Sequence, residues 1–178
     1  MPAESSAIAA IQWEYFQSRP ELRPLLSADD EAYIVEVWNR AITRPEHAHN
    51  RVLVSTVDDG TTLGRVVGFI AFGPSDDPDA ELGDADVVDC IVAAEFRRQG
   101  HGSRLMHAMA DTVAQDGYRR LTWWVNSADD LAHAWLGNAG WALDGAWRLL
   151  GDDSLGDQVR IKQVRFHTVL DQESCDCH

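Results

Sequence analysis

The chain has 178 residues, of which 45% are hydrophobic and 25% are charged, as is typical of one globular domain with a buried core. Its formal net charge of −14 argues against nucleic acid as a partner, because phosphate backbones are bound by basic surfaces. The sequence shows no apolar run near the ~20 residues that span a bilayer, and its three cysteines form no disulfide framework. These features predict a cytoplasmic protein with neither a nucleic acid nor a membrane as partner.

Two amphipathic helices are predicted ahead of the first strand. The first has apolar residues at helical spacing between Ile8 and Phe16, and the second has them between Ile34 and Ile42. Strands are then predicted over residues 51–57 and 65–72. An acidic segment from Gly73 to Asp84 contains two prolines and is expected to be a surface loop.

The second half of the chain alternates strands and helices. A strand is predicted over residues 86–92, and a helix over 103–115 follows it. Further predicted elements are a strand over 121–126, a helix that begins near 127–130, and closing strands over about 142–149 and 159–170. Residues 1–170 are therefore expected to form a single domain. The polar tail over 171–178 is expected to be disordered. It ends in Cys175, Cys177 and His178, an incomplete ligand set for which we predict no metal site.

A short basic turn separates the strand over 86–92 from the helix after it. The turn contains Arg97-x-x-Gly100-x-Gly102, and neither glycine has a Cβ that would keep a phosphate from the backbone. The first N–H groups of a helix have no intrahelical acceptors, and the helix dipole adds positive potential there. A strand, a basic glycine turn and a helix N-terminus in this order therefore predict an anion-binding site.

This turn, with its flanking strand and helix, resembles the pyrophosphate-binding motif of the GNAT superfamily of N-acetyltransferases. The resemblance covers about residues 28–170. It implies an α/β fold (the acyl-CoA N-acyltransferase fold) whose helices flank a central mixed sheet. That sheet is splayed between the strand before the turn and the strand after the central helix, strands 4 and 5 of the family. The short strand that usually opens this fold is not evident in residues 1–7. The implied cofactor is acetyl-coenzyme A.

The same resemblance implies how the cofactor is held. Its pantetheine arm would pair with the backbone of the strand from Cys90 to Ala93, and a backbone N–H near Ile91 or Val92 would polarise the acetyl carbonyl. The pyrophosphate would rest on the turn, where adjacent arginines cannot all point inward. The predicted cofactor-binding residues are Ile91, Val92, Ala93, Arg97, Arg98, Gln99, Gly100, His101, Gly102, Ser103, Arg104 and Asn126.

The catalytic groups are less well defined by the sequence. Asp86 and Asp89 are alternative general bases, with Glu81 as a third candidate. Because side chains alternate along a strand, Asp86 and Asp89 are expected to point to opposite faces of the sheet. Asn126 matches a family position that binds pantetheine or an ordered water, although a turn residue is also typical there. Leu136 stands where many members have a tyrosine that serves as the general acid, so the donor to the leaving thiolate stays open.

The resemblance implies an acetyl-coenzyme A-dependent N-acetyltransferase that acts on a primary amine of a small molecule or a protein. The acidic net charge is compatible with a cationic amine acceptor. The alternative is a non-catalytic acyl-coenzyme A-binding sensor or regulatory domain, which the missing tyrosine leaves open. The sequence does not identify the acceptor or the oligomeric state, although a homodimer is compatible with the family.

Overall fold

The computed structural model describes residues 2–23, 26–27, 29–61, 64–150 and 160–170. The predicted tail over 171–178, with Cys175, Cys177 and His178, lies outside these residues. The elements are α1 (Pro2–Gln17), α2 (Asp30–Thr43), β1 (Arg51–Val57), β2 (Arg65–Pro74), β3 (Asp84–Val92), α3 (His101–Gln115), β4 (Arg120–Asn126), α4 (Asp130–Asn138), β5 (Ala142–Leu150) and β6 (Ile161–Val169). Their order confirms the predicted one. None of the helices in these ranges is long and apolar enough to cross a membrane.

Several element boundaries differ from the predicted ones. The strand β3 begins two residues earlier than expected, at Asp84, and α3 begins at His101 rather than Ser103. Gly100 is the N-cap of α3 and has a left-handed φ of 84°. Residues Pro2–Gln17 are helical, so the described residues hold no strand before α1.

The six strands form one mixed, open sheet in the order β1-β2-β3-β4-β6-β5. Only β3 and β4 are parallel, and their pairing is short, with Asp84–Val87 facing Arg120–Trp123. Beyond those four pairs the two strands separate towards their carboxyl ends. This separation confirms the predicted splay between the strand before the basic turn and the strand after the central helix.

Helices cover both faces of the sheet, and each face has its own apolar core. On one side, called here the α3 face, Leu105, Met109 and Val113 of α3 pack against Val87 and Leu121. On the other side, called the α1 face, the buried residues are Ile8, Ala9, Ile11, Trp38, Phe69, Ala71 and Ile91. The strand β2 lies inside the sheet and is buried on both faces from Val67 to Gly73, as expected of a central strand without hydrophobic alternation.

A β-bulge interrupts the pairing of β3 with β2. Phe72 pairs with Val87, but the next residue back along β2, Ala71, pairs with Asp89. Val88 is therefore an extra residue on β3. One extra residue shifts the alternation of side chains by one position, so every residue after it changes face.

The bulge makes the expected orientation of the two β3 aspartates wrong. Val87 and Cys90, on either side of the bulge, both contact the core of the α3 face. Asp86 and Asp89 are their immediate neighbours on the strand, so both point to the α1 face. The expectation of opposite faces assumed an unbroken period of two, which the inserted Val88 removes.

Candidate active site

A cleft of about 710 Å³ occupies the gap between β3 and β4. Its walls come from the splayed halves of both strands, from α1 and the segment after it, and from the N-terminal ends of α3 and α4. This volume lies within the ~300–1,000 Å³ of typical ligand pockets. Asp89 is the one of the three candidate bases that lines the cleft, together with eight of the twelve predicted cofactor residues: Ile91, Val92, Arg97, Arg98, Gly100, Gly102, Ser103 and Asn126. Ala93, Gln99, His101 and Arg104 do not line it.

The N-terminus of α3 forms one end of the cleft. Gly100 lacks a side chain and makes no capping bond, and the first amide with an intrahelical acceptor is that of Arg104, which donates to the Gly100 carbonyl at 3.0 Å. The amides of His101, Gly102 and Ser103 precede it and have no acceptor in the helix. Arg98, just before this end, is the one non-glycine residue described with a positive φ, at 60°. Consecutive amides in such a turn form an anion-binding concavity.

The three arginines of the motif point in different directions. Arg97 and Arg98 line the cleft, whereas Arg104 does not. Nε of Arg97 donates to the Val92 carbonyl at 3.0 Å. The Arg104 guanidinium lies 3.4 Å from the Gln99 carbonyl, on the outside of the helix. Two of the three are therefore placed to meet a phosphate.

Two predicted cofactor residues have side chains directed elsewhere. His101 is buried, and its Nδ1 forms a hydrogen bond with the Ser55 hydroxyl of β1 at 2.8 Å. Gln99 donates to the Glu95 carbonyl at 2.9 Å. Neither residue lines the cleft. The imidazole fixes α3 to the sheet, and only the backbone of these residues remains near the helix end.

Gly102 lies where the cleft is narrow. A Cβ at this position would come within 3.4 Å of the Trp135 ring and 3.9 Å of the Val92 side chain. Trp135 extends from α4 and also packs edge-on against Trp123 of β4. A side chain at position 102 would therefore reduce the space between α3 and α4.

The backbone of β3 alternates between β2 and the cleft. The Ala93 amide donates to the Val67 carbonyl of β2 at 2.9 Å. In an antiparallel pair every second residue bonds to the same partner, so Ile91 also faces β2, while Cys90 and Val92 face the cleft. Of the two predicted carbonyl-polarising amides, only that of Val92 is therefore available. The same alternation makes Cys90, not Ile91 or Ala93, the other residue whose backbone can pair with a ligand.

Asp89 lines the cleft from the α1 face. Burial raises the pKa of its carboxyl to about 6, although a hydrogen bond from Gln12 acts in the opposite direction. That bond joins Nε2 of Gln12 to Oδ2 of Asp89 at 2.7 Å. A carboxyl with this pKa is ionised at neutral pH and is a better proton acceptor than an ordinary aspartate.

Asp86 is held away from the cleft. Its Oδ1 accepts a hydrogen bond from the Thr122 hydroxyl, and its Oδ2 accepts one from the Ser75 hydroxyl at 2.7 Å. It lies in the segment where β3 and β4 are still paired, and it does not line the cleft. Burial raises the pKa of this carboxyl too. Glu81, the third candidate, is exposed in the loop before β3.

Two polar contacts join α1 and the residues after it to the end of β4, across the mouth of the cleft. Arg19 forms a salt bridge with Asp129 at 2.7 Å. Nδ2 of Asn126 donates to the Glu21 carboxylate at 3.3 Å, and Oδ1 of Asn126 accepts from the Ala128 amide at 2.9 Å. Asn126 thus lies at the cleft, as predicted, and also stabilises the turn into α4.

Trp124 borders the cleft on the α1 face. The Arg148 guanidinium lies 4.4 Å from its ring centre, and Arg165 lies 5.3 Å from it. The indole N–H donates to Asp77 at 2.8 Å. The Trp124 ring is therefore already in contact with two arginines of the protein itself.

The sequence profile of the acetyltransferase (GNAT) family matches residues 6–141. The chain belongs to this family. No curated protein matches it. Among solved structures it is similar to an N-acetyltransferase from Staphylococcus aureus Mu50, with 16% identity, a TM-score of 0.68, and coverage of 96% of this chain and 95% of that one. A ribosomal-protein-alanine N-acetyltransferase from Brucella melitensis gives 17% identity, a TM-score of 0.68 and 96% coverage of both chains.

A third similar structure contains the cofactor. It bears the name putative streptothricin acetyltransferase, comes from Bacillus anthracis str. Ames and is in complex with acetyl coenzyme A, with 13% identity, a TM-score of 0.57, and coverage of 70% of this chain and 64% of that one. GNAT acetyltransferases use acetyl-coenzyme A. The residues of this GNAT protein fit that group, since uncapped amides at α3 and two arginines suit a pyrophosphate, and the unpaired edge of β3 suits an amide-bearing arm.

This GNAT protein has no tyrosine at the usual place in its last helix. Leu136 there is fully buried and has no proton to donate. Tyr15 of α1 lines the cleft instead, half-buried, with the Arg19 guanidinium 4.8 Å from its ring centre. Burial raises the pKa of its hydroxyl, so the group stays protonated at neutral pH.

Gln12 belongs to this site, although it was not among the residues predicted from the sequence. A signal was present, because Gln12 lies four residues after Ile8 and three before Tyr15. It is therefore a polar residue within the apolar stripe of a helix. A polar side chain at such a position needs a hydrogen-bond partner when it is buried, which points to a polar group on the facing strand.

Proposed function

We propose that the protein is a cytoplasmic N-acetyltransferase that transfers the acetyl group of acetyl-coenzyme A directly to a primary amine of a small molecule or a protein. The single observation that carries this proposal is the position of Asp89. Its carboxyl, with a pKa of about 6, lines the same cleft as the unpaired amide of Val92. A proton acceptor and a carbonyl-polarising donor are the two groups that acetyl transfer to an amine requires of a protein.

The helix end and the arginines would hold the cofactor. When bound, acetyl-coenzyme A supplies an acetyl thioester that an amine can attack. The amides of His101, Gly102 and Ser103 would bind the pyrophosphate with Arg97 and Arg98. Arg97 would exchange its bond to the Val92 carbonyl for one to phosphate. Phosphate is the better acceptor because its oxygens match the paired N–H donors of the guanidinium.

The chemical step rests on β3. The Val92 amide would donate to the acetyl carbonyl oxygen and stabilise negative charge on it. Asp89 would take a proton from the acceptor ammonium, directly or through one water, so that the amine attacks in its neutral form. Holding both reactants in line supplies much of the remaining acceleration.

The leaving thiolate needs a proton that Leu136 cannot give. We assign this proton to the Tyr15 hydroxyl, which is the protonated group that α1 places in the cleft. The attacking nitrogen would lose a second proton as the amide forms, and this proton would reprotonate Tyr15 through water. The first proton, held by Asp89, would return to solvent, so that one ammonium and one thioester give one amide, one thiol and one proton.

The charges in the cleft bear on the kind of amine that it can accept. Asp89 and Glu21 place carboxylates at the floor and the mouth of the cleft, which favours a cationic acceptor. The names of the similar structures point to both acceptor types, since one refers to streptothricin and another to a ribosomal protein alanine. We therefore propose a primary amine as the acceptor group, carried by either a small molecule or a protein.

Two measurements on the full chain test the proposal. Thermal unfolding is followed with acetyl-coenzyme A and, as a control ligand, ATP. At a free ligand concentration of 100 times the dissociation constant, binding adds about 2.7 kcal/mol to the free energy of unfolding. Release of free thiol is then followed with small amines and with a peptide that has a free N-terminus. Stabilisation by acetyl-coenzyme A alone, with amine-dependent thiol release, is the expected result. Stabilisation without thiol release from any amine would favour a non-catalytic acyl-coenzyme A-binding domain.

A further inference from the structure

Gln12 connects two helices to the candidate base. Its Nε2 donates to Oδ2 of Asp89 at 2.7 Å, and its Oε1 accepts from the indole N–H of Trp38 in α2 at 2.8 Å. Trp38 is itself buried and packs edge-on against Phe69 of β2, with ring centres 4.9 Å apart. The three residues form one chain of hydrogen bonds from α2 through α1 to β3.

The chemistry of Trp38 fixes the direction of this chain. An indole N–H can only donate, so the Gln12 atom that faces it must be the amide oxygen. The amide nitrogen must then face Asp89, and it offers two N–H donors and no acceptor. With this orientation Gln12 can bond to the ionised carboxylate but cannot accept a hydrogen bond from the protonated acid.

We propose that Gln12, oriented by Trp38, is a positioning residue that holds the Asp89 carboxylate at the cleft in its proton-accepting form. This inference rests on the proposed function, in which Asp89 is the general base. Gln12 does not line the cleft, so it acts only through Asp89. Its bond occupies Oδ2, and the Cys90 backbone amide also donates to this carboxylate, so both contacts favour the ionised form.

Two titratable groups lie beside Asp89, and neither ionises near the Asp89 pKa of about 6. On the α1 side the titratable neighbour is Tyr15, and along the strand it is Cys90. Burial raises the pKa of the Tyr15 hydroxyl and of the Cys90 thiol, so both stay neutral between pH 5 and 8. A change in an acidic limb that Asp89→Asn removes therefore reports on Asp89 and not on these two neighbours.

Three variants of the full chain separate positioning from packing. Gln12→Met keeps the length of the side chain and removes both hydrogen bonds. Trp38→Phe keeps an aromatic ring against Phe69 but removes the N–H that orients Gln12. Gln17→Met is the matched control, since it is the same substitution on the same helix at an exposed position.

Two readouts are compared for each variant. The first is the pKa of Asp89 in the ligand-free protein, measured by NMR with ¹³C-labelled aspartate and assigned with Asp89→Asn. The second is the pH dependence of acetyl transfer. In Gln12→Met we expect the Asp89 pKa to rise by about one unit, because a hydrogen bond to its charged form is lost. The acidic limb of kcat should move by the same amount, so that kcat falls several-fold at pH 6 and recovers at pH 8.5, with KM for acetyl-coenzyme A unchanged.

Trp38→Phe should shift both readouts in the same direction by a smaller amount, and Gln17→Met should shift neither. An Asp89 pKa that is unchanged in Gln12→Met, in a protein that still transfers acetyl groups, would overturn this inference alone. A purely structural role for Gln12 would lower the melting temperature without moving that pKa, and would overturn it as well. Failure of the unmodified protein to acetylate any amine would overturn the proposed function, and this inference with it.

Discussion

Asp86 and Asp89 point to the same face of the sheet although three positions separate them on one strand. The extra residue Val88 changes the alternation between them. Their surroundings nevertheless differ, since two hydroxyl groups bond to Asp86 and a glutamine and the cleft adjoin Asp89. Two carboxylates on one face thus have different environments. We predict that they also have different roles, which substituting each by asparagine tests.

Asp89→Asn should remove the acidic limb of the pH–rate profile, which we expect near pH 6, and lower kcat by ~10²–10⁴-fold, the range typical of general-base catalysis. Asp86→Asn is the matched control, because the change is the same on the same strand and face. It should keep the limb and most of kcat. Steady-state thiol release between pH 5 and 9 measures both, and loss of the limb in the Asp86 variant would transfer the role to that residue.

The same substitution at Asp89 should stabilise the folded protein at alkaline pH. The folded pKa of about 6 lies above the ordinary value of 3.8, so ionisation disfavours the folded state. The free-energy cost of ionising Asp89 in the folded protein is absent below about pH 4. It grows progressively as the pH rises through 6. A difference of about two pKa units corresponds to about 3 kcal/mol.

We therefore expect Asp89→Asn to unfold at higher urea concentration than the unmodified protein at pH 8, by up to that free energy, and at the same concentration at pH 4. Asparagine can still accept the Gln12 hydrogen bond, so the comparison isolates the charge. An equal difference at both pH values would show that packing, not ionisation, is responsible.

Gly100→Asp should weaken acetyl-coenzyme A binding by at least ~100-fold, since a carboxylate at the helix end repels the pyrophosphate and blocks its approach to the amides. Gly117→Asp is the matched control at the other end of α3. Both glycines have a left-handed φ, 84° and 87°, and at neither position would a Cβ have another atom within 4 Å. Both variants carry the strain of a left-handed side chain, and Gly117→Asp should be the less stable because its carboxylate meets the negative end of the helix dipole. Only Gly100→Asp should lose affinity by calorimetric titration. Equal affinities would contradict the assignment of the site.

Tyr15→Phe should lower kcat by ~10²-fold, the lower end of the range for general acid–base catalysis, with little change in binding of acetyl-coenzyme A. It should also remove the alkaline limb of the pH–rate profile, which reports the ionisation of the donor. This limb lies above pH 10 because burial raises the pKa of the Tyr15 hydroxyl, so the profile is extended to pH 11. Tyr33→Phe, at a tyrosine that is 64% exposed, provides the control. An alkaline limb that persists in the Tyr15 variant would assign protonation of the thiolate to water.

The helix end at the basic turn, where we propose that the cofactor binds, was predictable from the sequence because its determinants are local. A strand, two glycines spaced by one residue and an amphipathic helix are adjacent along the chain, and the helix end forms wherever they fold. The boundary of α3 was missed by two residues because Gly100, in its left-handed conformation, allows the helix to begin immediately after it.

The catalytic half depends on pairing between distant segments. The bulge at Val88 exists only relative to β2, so no pattern within β3 indicates it. For the same reason, the sequence of β3 alone does not indicate which of its amides face the cleft. The raised pKa of Asp89 comes from burial beneath α1, some 77 residues away along the chain. Gln12 was recognisable as a misplaced polar residue, but its partners were not.

The separation of β3 from β4 leaves a passage through the sheet rather than a pocket on one side of it. Gly102 and Trp135 line it from the α3 face, while Tyr15 and Trp124 line it from the α1 face. In the proposed reaction we therefore expect the two substrates to approach from opposite faces and to form a ternary complex. Initial rates plotted in reciprocal form would give intersecting lines, the kinetic signature of a ternary complex. Neither product would need to leave before the second substrate arrives.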